Sequence, residues 1–150
     1  MTTQHASRLK VASLTDTLPP MVLCADDDDA VRLLCTTVLA RAGFRTDTAQ
    51  DGWEALRRIA ENDYAAVLLD FDMPSVREAT VLESLARTRP GFLARFVILT
   101  LLPESAVADL KGSLGAILHK PIRNEALVAA VRQCCNPDPG ERIFDHTCPN

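Results

Sequence analysis

The sequence has little of what would make it a nucleic-acid binder, a membrane protein or a zinc protein. Its 150 residues hold 16 Lys and Arg against 20 Asp and Glu, a formal net charge of −4. Phosphate backbones are bound by a basic face, which this composition does not offer, so direct contact with nucleic acid is not expected. No apolar run is long enough to span a bilayer, and the polar first twenty residues, ending Leu18-Pro19-Pro20, lack the apolar core of a signal peptide. A cytoplasmic protein is expected. The five cysteines, Cys24, Cys35, Cys134, Cys135 and Cys148, are odd in number and lack zinc spacing. They read as reduced packing residues.

What is present is a globular composition, 47% hydrophobic and 24% charged, with a pattern of polar residues that close apolar runs. Val22 to Ala25 precede Asp26-Asp27, Ala65 to Leu69 precede Asp70, Phe96 to Leu99 precede Thr100, and Ala116 to His119 precede Lys120. In an open parallel sheet the carboxyl ends of the strands line one crevice, so residues far apart in the chain meet there. Three carboxylates, a hydroxyl and an ammonium would then share one pocket.

That set of groups suits phosphorylation of an aspartate. Clustered carboxylates repel, and a hard divalent cation such as Mg²⁺ relieves the repulsion and bridges to phosphate oxygens. Asp70 is the candidate nucleophile, since a carboxylate forms an acyl phosphate once a metal and a lysine neutralise the incoming oxygens. Lys120 suits the second role as a point charge, and the Thr100 hydroxyl can bond the same oxygens and reorient as they arrive or leave. Each residue also has an ordinary reading. Acidic runs such as Asp26 to Asp29 are common at solvated helix N-termini, which is the expectation for Asp28 and Asp29, and Thr100 and Lys120 could be a strand residue and a surface lysine.

Five segments in order carry a family likeness: Val22-Leu23-Cys24-Ala25-Asp26-Asp27-Asp28, Ala49-Gln50-Asp51-Gly52-Trp53-Glu54-Ala55-Leu56, Leu69-Asp70-Phe71-Asp72-Met73-Pro74, Val97-Ile98-Leu99-Thr100 and Lys120-Pro121. From about Met21 to Cys135 the chain resembles the receiver domain of two-component response regulators. The resemblance implies a doubly wound (βα)₅ α/β fold, CheY/flavodoxin-like, with parallel strand order 2-1-3-4-5. It further implies that Asp70 takes a phosphoryl group from a histidine kinase or a histidine phosphotransfer protein in a phosphorelay. Mg²⁺ would be held by Asp27, Asp70 and the Asp72 backbone carbonyl, with Asp26 acting through water. The fourth helix, fifth strand and fifth helix would form the face that docks a downstream protein or a second copy. The domain is then a switch and not an enzyme beyond its own phosphotransfer and autodephosphorylation. The Lys120-Pro121 peptide is expected to be cis, turning the lysine into the pocket.

The alternation of elements agrees with a sheet covered on both faces. Helices are predicted from Asp29 to Ala42 with Val31, Leu34, Cys35, Val38 and Leu39 inward and Gly43 as the stop, from near Asp51 to Asn62 carrying Trp53, Ala55, Leu56 and Ile59, and from Glu78 to Arg87. A fourth starts around Pro103 and ends near Lys111-Gly112, and a fifth, capped by Asn124, runs to Cys135 with a small apolar outer face of Ala126, Ala129 and Val128. Strands are predicted at 44–48, 65–69 and 95–100. Residues 1–20 read as a flexible extension, 21–135 as the receiver and 136–150 as a tail too short for an output domain. The chain is then a single-domain regulator or a segment of a longer regulator or hybrid kinase.

Several positions depart from the family pattern. Leu101 stands where a small residue is usual after the threonine, and is expected to narrow the approach to Asp70. Ile117 stands where an aromatic usually switches with the threonine, so an aromatic rotamer switch is not expected. Ser75-Val76-Arg77-Glu78 lacks the usual glycine. Asp72 adds a carboxylate two residues past the acceptor, and Asp70-Phe71-Asp72 resembles the Asp-x-Asp motif of haloacid-dehalogenase-type phosphohydrolases. That alternative lacks an acidic pair after Lys120, where only Glu125, Asp138, Glu141 and Asp145 occur. A further alternative keeps the fold as a non-phosphorylated interaction module.

Overall fold

A computed structural model describes residues 18–73 and 78–136. Residues 1–17 of the expected N-terminal extension, 137–150 of the expected C-terminal tail, and 74–77 in the loop after Met73 lie outside the described residues. Elements follow in the order β1 (Met21–Ala25), α1 (Asp29–Arg41), β2 (Arg45–Ala49), α2 (Gly52–Glu61), β3 (Ala66–Asp70), α3 (Glu78–Thr88), β4 (Phe96–Thr100), α4 (Glu104–Val107), β5 (Ala116–His119) and α5 (Asn124–Cys135). Short 3₁₀ turns at Pro90–Arg95 and Ala108–Leu110 precede and follow β4 and α4.

The strands form one parallel sheet in the order β2-β1-β3-β4-β5. Alternate residues of the central strands feed two cores, as the two-residue period of a strand requires. Leu23, Val67, Leu69, Phe96 and Ile98 pack with Ala55 and Ile59 of α2 and with Val81, Leu82 and Leu85 of α3. Val22, Cys24, Leu68, Val97 and Leu99 face the other way, against Cys35 and Leu39 of α1 and Leu127, Ala130 and Val131 of α5. β3 and β4 are buried along their whole length, which explains their unbroken apolar sequence.

Local chemistry sets the helix starts that matter to the site. Asp28 caps α1 by accepting from the N–H groups of Ala30 and Val31, and Asp51 caps α2 by accepting from Glu54 N–H at 2.8 Å. Glu54 Oε2 in turn accepts from Gln50 N–H, a reciprocal arrangement close to a capping box. Gly43 ends α1 with φ +96°, a conformation that costs glycine least. Gly115 is required for another reason. A Cβ there would stand 2.5 Å from both the Ala94 carbonyl oxygen and Cys134 Sγ.

Four sequence expectations change. The fourth helix is a single α-helical turn, because Val107 (φ −115°, ψ 5°) leaves helical geometry and the chain tightens into the Ala108–Leu110 turn. Asn124 is the first helical residue of α5 and not its cap; Arg123 holds the cap position and makes no side-chain cap bond. Leu34 and Trp53 are 54% and 64% exposed, since α1 and α2 bury narrower stripes than the sequence reading gave them. Strands β2 and β3 each sit one residue later than expected, so Asp70 itself ends β3 and is held by the sheet.

Candidate functional site

Strand register builds the pocket. Ala25 pairs with Leu69 and Asp70 with Leu99, so Asp26 follows β1 beside Asp70 at the end of β3. Thr100 pairs with His119, and the Lys120 N–H donates to the Thr100 carbonyl at 2.8 Å, which places both side chains at the same sheet end. The five residues singled out by their positions after apolar runs are therefore brought together. The Lys120-Pro121 peptide is cis, as expected.

Asp26, Asp27 and Asp70 each offer a carboxylate oxygen, and these oxygens lie within 4.8 Å of one another. Asp26 and Asp70 are buried, while Asp27 is open to solvent. Asp26 Oδ1 accepts from Asp28 N–H at 2.9 Å. Its Oδ2 is the one buried side-chain oxygen or nitrogen among the described residues without a hydrogen-bond partner. A buried carboxylate oxygen normally has a partner, so the orphan fits a cation-facing position. Burial pushes the Asp26 carboxyl up to about 6, against the pull of the Asp28 N–H, and the Asp70 charge adds to the rise. Hard oxygen donors of this charge suit a divalent cation such as Mg²⁺.

Lys120 Nζ donates to Asp70 Oδ1 at 2.8 Å and lies 3.2 Å from Asp72 Oδ2. Burial pulls the ammonium down, but the hydrogen bond and charge of Asp70, followed by those of Asp72, hold it above the ordinary lysine range. Thr100 is fully buried, and its Oγ1 donates to Asp72 Oδ1 at 3.3 Å while accepting from Leu102 N–H at 3.0 Å. The Leu101 N–H donates to Asp72 Oδ2 at 2.9 Å. Asp72 N–H donates to Asp70 Oδ1 at 3.0 Å. The Leu101 side chain is 71% exposed, and it is the Asp72 carboxylate that sits among the pocket donors. Ile117 is half-buried and packs against the core shared with α2 and α3.

Sequence reasoning missed two supports. Arg32 of α1 donates to the Asp26 backbone carbonyl at 2.6 Å and is ion-paired with Asp29, fixing the acidic turn from behind. Asp47 of β2 accepts from the Tyr64 hydroxyl at 2.6 Å and from Arg58 Nη1 at 3.1 Å, tying β2 to α2 and to the approach to β3. Arg58 Nη2 also donates to Glu54 Oε1 at 3.2 Å, and the i, i+4 spacing of that pair signals this part of the second network; no spacing signals the rest.

Residues 22–132 match the family model described as the response regulator receiver domain. The chain is 34% identical over 114 residues to a probable chemotaxis protein CheY of Rhizobium etli, spanning 73% of this chain and 88% of that protein. It is 35% identical over 130 residues to the response regulator MprA of a Mycobacterium species, there spanning 82% of this chain and 55% of the relative. It thus covers about half the length of the larger regulators it matches. Among solved structures, the receiver domain of the Francisella response regulator 1452 superimposes with a TM-score of 0.70 at 30% identity, covering 77% of this chain and 96% of that one. The Thermotoga maritima response regulator TrrA, solved in complex with Mg²⁺-BeF, gives 0.68 at 23% identity over 77% and 98% of the two chains.

Proposed function

Since the chain belongs to the response regulator receiver family, the phospho-accepting signalling switches of two-component systems, we propose that Asp70 is the residue that accepts the phosphoryl group. One observation carries the assignment: Asp70, buried at the end of β3, is the carboxylate that shares an oxygen cluster with Asp26 and Asp27 and also bonds Lys120. An Asp70 carboxylate oxygen attacks the phosphorus of a phosphohistidine. The P–O bond forms as the P–N bond breaks, and the electron pair leaves with the imidazole nitrogen. Lys120 and Thr100 take the charge that builds on the phosphoryl oxygens. Asp26, Asp27, Asp70 and the Asp72 backbone carbonyl would hold Mg²⁺, which when bound offsets the charge of carboxylates and phosphoryl oxygens.

The donor in this reading is a histidine kinase or a histidine phosphotransfer protein. Readout passes by protein contact, to a downstream partner or a second copy, through the α4-β5-α5 face, where Ala126 and Ala129 are exposed side by side on α5. Nucleic acid is not a direct ligand of this segment, whose charge is net negative. The receiver unit runs from 21 to 135, with 1–20 and 136–150 as extension and tail. A cytoplasmic setting suits the thiols of Cys24, Cys35 and Cys135. Family membership sets aside the haloacid-dehalogenase-type phosphohydrolase reading.

The test is intact-protein mass spectrometry after incubation with Mg²⁺ and acetyl phosphate, beside Asp70→Asn and a chelated control. One base-labile phosphoryl group that needs both Mg²⁺ and Asp70 is the expected result. An adduct retained in Asp70→Asn, or none with donor unconsumed, would overturn the assignment. The second outcome would leave an interaction module that signals without phosphate.

A further inference from the structure

The Asp72 carboxylate makes three contacts that a phosphoryl group on Asp70 would need. Its two oxygens accept from the Thr100 hydroxyl (3.3 Å) and the Leu101 N–H (2.9 Å), and the second also lies 3.2 Å from Lys120 Nζ. An ammonium, a hydroxyl and a backbone amide converging beside a nucleophilic carboxylate are the donor types that stabilise an oxyanion. Asp72 is also held next to Asp70 by its own backbone, whose N–H donates to Asp70 Oδ1 at 3.0 Å. Its side chain is 23% exposed, so it has a route to solvent if displaced.

We propose that Asp72 is a resident occupant of the phosphoryl-oxygen site, holding Thr100, Leu101 and Lys120 in the engaged arrangement before any phosphate arrives. This rests on the assignment of Asp70 as acceptor. A phosphoryl group on Asp70 carries charge of the same sign into the same donors, so the Asp72 carboxylate must swing out for the adduct to be held. Two consequences follow. Loading works against an internal competitor, and Thr100 and Leu101 move less on phosphorylation than they would from an unengaged start. Asp72 is thus a positioning residue that sets how far the unphosphorylated and phosphorylated states differ.

The test uses fluoroberyllate with Mg²⁺, a non-covalent stand-in for the acyl phosphate, titrated into the ¹⁵N-labelled 150-residue chain. The readouts are the dissociation constant and the Leu101 amide resonance, for wild type, Asp72→Ala, Asp72→Asn and Asp70→Asn. Removal of a charged competitor should tighten binding by about tenfold or more in Asp72→Ala. Asp72→Asn, which keeps the shape and loses the charge, should fall between and serves if the alanine variant does not fold. Before ligand is added, the Leu101 amide of Asp72→Ala should already stand away from its wild-type position, because its acceptor is gone. Equal dissociation constants together with an unmoved Leu101 amide would overturn the Asp72 role while leaving the acceptor assignment intact, provided Asp70→Asn fails to bind. Absence of binding to wild type and to both folded Asp72 variants would overturn the acceptor assignment and this inference with it.

Discussion

Lys120 Nζ lies 2.8 Å from Asp70 Oδ1, although 50 positions separate the two residues in the chain. The contact exists because β3, β4 and β5 are neighbours in register, so their carboxyl ends stop at one level. It gives the buried Asp70 a counter-charge while the ammonium reaches Asp72 as well. Lys120 therefore both compensates the carboxylates and stands ready for phosphoryl oxygens.

Lys120→Ala separates these two parts. Phosphorylation from acetyl phosphate should fall at least about tenfold, the scale set by loss of one charged stabilising group. The fold should persist, because the sheet bonds and both cores do not depend on the lysine head group, but stability should drop by about 1 kcal/mol or more as the acidic cluster loses its cation. Circular dichroism with urea denaturation reads the second effect and mass spectrometry the first. Unchanged labelling in a folded variant would remove Lys120 from the phosphoryl-binding role.

The sequence makes Asp26, Asp27, Asp70, Thr100 and Lys120 legible because each follows an apolar run that only a buried strand explains, and strand ends in a parallel sheet share an edge. Strand order came from the family likeness, since periodicity alone does not order strands. Asp72 is different. Its position near the acceptor could be read, but its side-chain partners depend on how the two residues after β3 turn toward Thr100 and Leu101, which no periodicity encodes. Arg32 is invisible for the same reason, reaching back six residues to a backbone carbonyl. Leu34 and Trp53 show the opposite error. An apolar residue near a helical stripe reads as core, yet single exposed apolar side chains are ordinary on protein surfaces.

Repulsion between Asp26 and its acidic neighbours should make the metal-free protein less stable than its sequence requires. In chelator at pH 7, Asp26→Asn should raise the urea midpoint by the equivalent of about 1–3 kcal/mol, since a buried carboxylate with an unpartnered oxygen is replaced by a neutral amide. Mg²⁺ should stabilise the wild type by mass action and stabilise Asp26→Asn much less. A midpoint that falls in chelator, or an equal Mg²⁺ response in both proteins, would show that Asp26 is not part of the cation site.

The Tyr64 hydroxyl donates to Asp47 Oδ2 at 2.6 Å, and this pair supplies the pH prediction. Burial alone would raise the Asp47 carboxyl, but the Tyr64 hydroxyl, the Thr48 N–H and Arg58 outweigh it and hold the carboxyl below the usual range. A depressed folded value means that the native state holds its charge more readily than the unfolded chain, whose Asp titrates near about 3.9. The stabilisation is therefore complete above that value and is lost as pH falls through the folded one. Tyr64→Phe should cost about 1.5–3 kcal/mol at pH 7, the range for a hydrogen bond to a charged group. Its ring stays packed in the core shared with α2 and α3, so the difference reports the hydroxyl. The gap between wild type and Tyr64→Phe should narrow as pH falls through the lowered Asp47 value, where the carboxyl takes up its proton and becomes a weaker acceptor. Guanidinium midpoints of both proteins at pH 7 and at successive lower values test this. A constant gap at every pH would mean that the hydroxyl stabilises independently of the Asp47 charge and that Asp47 owes its lowered value to Arg58 and the backbone.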